Sequence, residues 1–312
     1  MPIGQYIISR DDAGFTHAQA VALATAHGGT LAAVTSAEED ALFLNFLATD
    51  DLLWGGEPHD SARNGPWIGL TQTGGPEPAG GWGWDTGETY DFTAWHFGQP
   101  DNFIGDSYAI YWDNDGDIGW ADHVNDPVGA GYGPVISAAI EVAETVRKLV
   151  GTAGHDLIWG AGIGNVINGL SGSDSLMGNG GKDRLTGGAG KDTIDGGNGN
   201  DSLTGGSGGD SLTGGLGADH FIYLTAGDTG TRGAARDVIG GFSQAEGDVI
   251  DLTALGELSF RGSRAFNDIN QVRVHVEGAD TWVDINLSGD KVPEMRIVLQ
   301  GVLAVDDLAF LL

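Results

Sequence analysis

The sequence predicts two architectures in one chain: an α+β domain over residues 1–142 and an all-β parallel roll over 151–222, closed by a β-rich cap over 223–312. Three observations predict this. Residues 1–142 open with two stretches of helical apolar spacing and continue as short alternating runs between Gly and Pro turns. A nonapeptide then repeats without insertion from Gly151 to Ile222. Beyond it, the runs at 237–252, 281–287 and 295–300 read as strands. A short polar linker at 143–150 separates the first two parts.

In the first part, Thr16 precedes HAQAVALATAH, and Gly28-Gly29 stop that helix. Ser36 and Glu39 form a capping box that opens a second helix, DALFLNFLA. Two helices followed by strands make an α+β unit. The ordered landmarks are GGTLAAVTSAEE (28–39), WIGLTQ (67–72), GWGWDTGETYDFTAWHFGQPDN (81–102), GWADHVND (119–126) and ISAAIEV (136–142). Together they make the whole of 1–142 resemble the C-type lectin-like domain. The resemblance implies calcium in the long loop, with the ion's remaining positions open to vicinal sugar hydroxyls. Gln99-Pro100-Asp101 matches the galactose-type tripeptide, Asp106 falls where the family places its next acid, and Trp120-Ala121-Asp122 matches a Trp-Asn-Asp landmark except at Ala121. Gln99, Asp101, Asp106 and Asp122 are thus expected to hold both ion and sugar, and Trp120 to belong to the sugar site. Asn125-Asp126 is available to replace the missing amide. Phe103, Trp112 and Trp120 are candidates for the ring that faces the sugar. The opposing reading is a sugar-blind domain in which this segment only shapes a loop. Trp67, Trp82, Trp84 and Trp95 read as core. Asp113-Asn114-Asp115-Gly116-Asp117 lacks the Gly and the final Glu of a helix–loop–helix calcium loop, and reads as a solvated acidic turn.

In the repeats an acid or its amide recurs once per nonapeptide: Asp156, Asn165, Asp174, Asp183, Asp192, Asp201, Asp210 and Asp219. An apolar triplet follows each, centred on Ile158, Ile167, Leu176, Leu185, Ile194, Leu203, Leu212 and Phe221. Six Gly-rich residues make a turn that needs positive φ, and three make a short strand with its middle side chain inward. Two repeats complete one coil, so acids two nonapeptides apart stack on one edge. Carboxylates at the strand spacing of about 4.8 Å repel by roughly 3 kcal/mol at an effective dielectric near 20. A hard dication with oxygen ligands removes that repulsion, so folding and calcium binding become one event.

This array resembles the repeats-in-toxin (RTX) calcium-binding family. The resemblance implies that one turn gives the carbonyls of positions 1 and 3 and its acid, and the next turn on that edge the carbonyls of positions 2 and 4 and its acid. Gly187, Ala189 and Asp192 then face Gly206, Gly208 and Asp210. On the other edge Gly178, Gly180 and Asp183 face Gly197, Gly199 and Asp201. Gly169, Ser171, Gly188, Gly190, Gly196, Asn198, Gly215 and Gly217 hold the corresponding positions of neighbouring turns. Asp228 and Asp237 keep the nonapeptide spacing and are candidates to close the last sites, while uncharged Asn165 makes its site weak. Asp248 and Asp251, in GDVIDL, read as turn and strand residues after the roll.

A net charge of -30 repels nucleic acid and anionic membranes and attracts multivalent cations. There is no Cys, hence no disulfide, and no apolar stretch long enough to insert in a bilayer. The start, MPIGQYIISRDDAGF, lacks the features of a secretory leader. Residues 236–255 resemble the segment after the repeats in secreted serralysin-type metalloproteases, and 305–312 end in acids followed by apolar residues. The resemblance implies export by the type I secretion machinery and an extracellular protein folded there by calcium. A final edge strand is the competing reading of the tail. No His-x-x-x-His is present, and the formal G-x-S-x-G at 205–209 lies inside a repeat. His96 and His123 flank the loop as surface or packing histidines. The expectation is therefore a non-enzymatic calcium-dependent lectin or adhesin whose partner is a glycan or glycoprotein.

Overall fold

The computed structural model describes residues 5–10, 15–49, 62–72, 81–88, 93–94, 99, 108–114, 117–123, 137–143, 145–231, 233–301 and 310–312. The chain divides into two compact units, Met1–Thr145 and Val146–Leu312.

In chain order the first unit contains β1 (Gln5–Arg10), α1 (His17–Ala26), β2 (Thr30–Leu31), α2 (Ala37–Thr49), β3 (Ala62–Gln72), β4 (Trp82–Trp84), β5 (Tyr108–Asn114), β6 (Asp117–His123) and β7 (Ser137–Val142). Strands β1 and β2 both pair antiparallel with β7, so the first and last strands of the unit lie side by side. Strand β3 joins this layer at Trp67↔Ala138 and carries β4 and β5, and β5 pairs with β6. The two helices start as their sequences dictate. The Thr16 hydroxyl accepts from Gln19 N while Gln19 Oε1 accepts from Thr16 N, a complete capping box. Ser36 Oγ accepts from Glu39 N at 3.2 Å, but the Glu39 carboxylate reaches one residue further back, to Thr35 N at 2.8 Å. Phe43 on α2 packs edge-on against Tyr6 and stacks on Tyr111, with centroids 5.1 and 5.7 Å apart. Trp67 is fully buried and its indole N–H donates to Phe15 O at 3.1 Å. Trp82 and Trp84 are also core, as their sequence context implied.

The second unit is a parallel roll with a cap. Its strands are β8 (Lys148–Val150), β9 (Asp156–Trp159), β10 (Val166–Ser171), β11 (Ser175–Met177), β12 (Arg184–Ala189), β13 (Thr193–Asn198), β14 (Ser202–Ser207), β15 (Ser211–Leu216), β16 (His220–Ile222), β17 (Asp237–Gly240), β18 (Val249–Asp251), β19 (Ser259–Phe260), β20 (Gln271–Glu277), β21 (Asp280–Asn286), β22 (Met295–Leu299) and β23 (Phe310–Leu311). Alternate strands form two sheets. One runs β8-β10-β12-β14-β16-β18-β23, all parallel; the other runs β9-β11-β13-β15-β17-β22 in parallel and then turns antiparallel through β21 and β20. Within the repeats the register advances by two nonapeptides per coil, as in Leu185↔Leu203 and Ile194↔Leu212. It stacks Leu149, Ile167, Leu185, Leu203, Phe221 and Ile250 in one file and Ile158, Leu176, Ile194, Leu212 and Ile239 in the other, all 1% exposed or less. Each such side chain contributes about 1.5–3 kcal/mol. These files are the core of the roll, and Val272, Val274, Val283, Ile285, Met295 and Ile297 form that of the cap.

Two expectations change. The stretch 143–150 is not all linker: Lys148–Val150 pairs with β10 and supplies the first rung of one sheet. The predicted strand at 237–252 is two strands, β17 and β18, one in each sheet. The terminal Phe310–Leu311 lies parallel to β18 as an edge strand. Residues 305–309 lie outside the described residues.

Candidate metal centre and lectin-like loop

The roll aligns its acids in two hydrogen-bonded ladders. On one edge the backbone N–H of Asp156, Asp174, Asp192 and Asp210 each donates to Oδ1 of the next acid, namely Asp174, Asp192, Asp210 and Asp237, at 2.8–2.9 Å. On the other edge Asn165, Asp183, Asp201 and Asp219 donate likewise to Asp183, Asp201, Asp219 and Asp248, at 2.6–3.0 Å. One oxygen of each carboxylate is thereby used. The other, Oδ2, is buried without a hydrogen-bond partner in Asp174, Asp183, Asp192, Asp201, Asp210, Asp219 and Asp237. Orphaned polar atoms are rare in folded proteins and need an explanation. Burial raises the carboxyls of Asp174, Asp183 and Asp210 to about 7, Asp192 and Asp219 to about 6, and Asp237 to about 8. Asp201 and Asp248 are raised for the same reason.

The turns fit a hard cation. Gly187 leaves room for Asp192: a Cβ there would lie 2.3 Å from Asp192 Oδ2 and 2.7 Å from Gly205 O. Gly169, Gly178, Gly196, Gly205 and Gly214 make the same room for the acids of their own turns. At position 4 the need is stricter. Gly190 and Gly208 sit at φ +136° and +152°, and a Cβ on either would meet the carbonyl oxygen of Gly172 or Gly190 at 1.6 Å. Gly188 and Gly206, at position 2, likewise stack on the carbonyls of Leu170 and Gly188. The carbonyls of Ala189 and Asn198, at position 3, each accept one bond, from Gly172 N and Gly181 N. Ser171 pairs with Ala189, Gly180 bridges Asn198, and Gly197 pairs with Gly215. Gly199 and Gly217 continue the position-4 stack of the second edge. Among the described residues no three His, Cys, Asp or Glu side chains converge on one point. Each slot offers two carboxylates, so the remaining ligands are backbone oxygens, which is the oxygen-only donor set calcium takes.

The ladder ends differ from expectation. Asp156 Oδ2 accepts from Thr152 N at 2.6 Å and Asn165 Oδ1 from Ala161 N at 3.0 Å, so these first turns are closed internally. Asp228 stands off the ladder: its carboxylate caps its own turn by accepting from Leu224 N, Thr225 N and the Thr225 hydroxyl. Asp237 takes the position below Asp210, and Asp248 the position below Asp219. Spacing alone misses Asp248. The acid-x-apolar triplet finds it, because Asp237-Val238-Ile239 and Asp248-Val249-Ile250 repeat the triplet and Asp228-Thr229-Gly230 does not.

In the first unit, Gln99 is half-buried, while Asp101, Asp106, Phe103 and Asn125-Asp126 lie outside the described residues. Asp122 pairs with Ala109 on β6, and Ala121 is buried opposite Ile110. Trp120 corrects the sequence reading. It is fully buried, edge-on to Trp84 with centroids 5.6 Å apart, so it is a core side chain and offers no face to a sugar. Asn114 and Asp117 pair across the turn between β5 and β6. Sequence reading did not single out the carboxylates near Tyr6. Burial raises Glu141, and the charges of Glu88 and Glu39 push it the same way.

Residues 161–194, 168–203 and 186–221 match the family described as RTX calcium-binding nonapeptide repeat (4 copies). The C-type lectin lectoxin-Lio1 of Erythrolamprus poecilogyrus is 39% identical over 44 residues, 14% of this chain and 25% of that protein. The chain thus spans about a quarter of the length of the curated relatives it matches. Among solved structures, the C-type lectin CEL-I from Cucumaria echinata is 21% identical, covering 44% of this chain and 90% of its own, with a TM-score of 0.33. The AlgE6R3 subunit of the Azotobacter vinelandii mannuronan C5-epimerase is 25% identical, covering 50% of this chain and 74% of its own, with a TM-score of 0.31. The chain carries a C-type lectin-like domain followed by RTX calcium-binding repeats.

Proposed function

We propose that this calcium-binding, lectin-like protein is an exported carbohydrate-binding protein of galactose type, without catalytic activity, and that it works outside the cell. The observation that supports its calcium dependence is the set of seven buried, partnerless Oδ2 atoms along the two ladders. Calcium there would supply charge neutralisation, and the chain's own acids and turn carbonyls would hold it. The sugar reading is supported by Gln99-Pro100-Asp101, whose amide and carboxylate suit both a hard ion and vicinal hydroxyls. Export is supported by the serralysin-like run at 236–255. The test is a glycan array with and without chelator. Galactosides retained only with calcium, and lost in Gln99→Ala and Asp101→Ala, are the expected result. Retention unchanged by both substitutions rejects the site.

A second reading is favoured by Trp120 and Ala121, which are 0% and 5% exposed where a sugar site would use an open ring and an amide. On that reading the fold is sugar-blind and acts as a structural or protein-binding module. An array silent in calcium, with both units folded, selects it.

A further inference from the structure

The chain has only 14 Lys and Arg against a net charge of -30, yet seven of the 14 lie between residues 232 and 296. Three of those seven converge on one face of the cap. The register of β20, β21 and β22 sets Arg273, Asp284 and Arg296 in one row and His275, Trp282 and Val298 in the next. The alternate residues, Val272, Val274, Val283, Ile285, Met295 and Ile297, are all 0% exposed. Strand alternation therefore turns the Arg rows to the other side of the sheet.

Asp284 is fully buried and accepts from Nε and Nη2 of Arg273, at 3.0 and 2.8 Å, and from Nε of Arg296. One carboxylate thus serves two guanidinium groups. A third, Arg236, lies with its guanidinium carbon 4.6 Å from the centroid of Trp282, and that of Arg296 lies 5.0 Å from the same centroid. The His275 ring is 6.1 Å from it. Among the described residues no carboxylate pairs with Arg236, and Glu277, beside His275 at 3.9 Å, is largely exposed at the rim. A single Asp needs no such array for its own neutralisation. Among the described residues, three guanidinium groups meet here with one buried carboxylate between two of them, and an indole holds two of the groups. A guanidinium resting on an aromatic face keeps its in-plane donors available for a bidentate acceptor.

We propose that this face is a second binding surface, and that it takes a uronate-bearing oligosaccharide. Carboxylate is the group that already matches the Arg273 and Arg296 guanidinium groups here, in the form of Asp284. The Arg273 and Arg296 guanidinium groups flank one carboxylate and Arg236 lies further along, beside Trp282, so the cations form a row that suits the carboxylates of an acidic sugar chain rather than one small anion. His275, beside Trp282 and with its side chain 32% exposed, supplies the ring that a pyranose packs against. Double-stranded nucleic acid, with a charge for about every 1.7 Å of axis, is the polyanion that the chain's overall charge opposes most strongly. The surface lies in the second unit and uses no residue of the lectin-like loop, so it stands or falls independently of the galactose reading.

The test uses the full chain with calcium present, titrated calorimetrically with a galacturonic acid oligomer, a neutral galactose oligomer and a heparin-derived sulfated oligomer. The uronate oligomer is expected to bind, to weaken with salt and to perturb Trp fluorescence. Arg236→Gln leaves no carboxylate unpaired and is expected to lower that affinity by about tenfold or more. The pair Arg273→Gln with Asp284→Asn removes one cation and one anion together and leaves the balance of charge unchanged, so it is expected to lower that affinity less than Arg236→Gln does. Gln99→Ala is expected to have no effect on it, and the melting temperature of each variant checks the fold. Failure of the uronate oligomer to bind overturns the proposal. So does binding that is indifferent to both sets of substitutions, which would place the uronate on the calcium ions, and so does binding of the sulfated oligomer alone.

Discussion

The backbone N–H of Asp219 donates to Oδ1 of Asp248 at 3.0 Å across 29 residues of chain, and so extends the second ladder one rung past the last repeat. Asp237 does the same for Asp210 across 27 residues. The cap therefore does more than cover a strand edge: it lends one acid to each edge of the roll.

This gives a stoichiometric prediction. Asp237→Asn is expected to remove or weaken one calcium ion in a calorimetric titration, because it strips charge from the slot beneath Asp210. Asp248→Asn is expected to have a smaller effect beneath Asp219, because Asp248 Oδ2 already accepts from Ser243 N at 2.7 Å. Asp228→Asn is expected to leave the ion count unchanged and to cost stability only, since that carboxylate serves its own turn. An ion lost in Asp228→Asn and kept in Asp237→Asn would restore the simple nonapeptide spacing.

Gly190 and Gly162 separate conformation from mere smallness. At Gly190 a Cβ meets Gly172 O at 1.6 Å with φ at +136°, while at Gly162 nothing lies within 4 Å and no positive φ is required. Gly190→Ala is expected to cost at least about 1–3 kcal/mol of stability in calcium and to weaken the adjacent ion. Gly162→Ala is expected to be near neutral. Equal effects in calcium-dependent thermal melts would mean that the turn relaxes freely.

Trp120→Ala removes a fully buried ring that packs on Trp84. The expected loss is about 3–5 kcal/mol in the first unit, seen as early melting of the near-ultraviolet aromatic signal. A folded Trp120→Ala protein that has lost only sugar binding would return Trp120 to the sugar site.

Much of the roll was legible because its period is rigid. Ile194 and Leu212 fall inward because each coil repeats the same pair of nonapeptides, and no other pattern buries an apolar side chain in so polar a segment. The ends were only partly legible from spacing, which named Asp237 but also Asp228 and missed Asp248, because the ladder acids after Asp219 come from the cap, where chain length between rungs is free. Their apolar triplets were the usable signal. In the first unit the helix starts at Thr16 and Ser36 were local and readable. Trp120 was not, because its motif position resembles that of a binding residue while its burial is set by Trp84, far earlier in the chain.

The last prediction concerns pH. In the calcium-free roll, burial raises Asp174, Asp183 and Asp210 to about 7 and Asp237 to about 8 from an ordinary value of 3.8. The folded state then holds more protons than the unfolded state between those limits. The stability of the metal-free fold is greatest in acid and is lost as pH rises from about 4 through about 8. Chelated protein is thus expected to gain β structure by circular dichroism on acidification from pH 8 to about 5. Calcium reverses the sign, because its ligands must be deprotonated, so the calcium needed for half-folding rises as pH falls. General relief of the net charge of -30 acts in the same direction in chelator, and one variant separates the two effects. Asp174→Asn with Asp192→Asn mimics the protonated pair, so it is expected to stabilise the chelated fold at pH 8 and to flatten its pH response, while losing calcium from that edge. If the double variant titrates like the wild type in chelator, the buried ladder is not the source of the pH dependence.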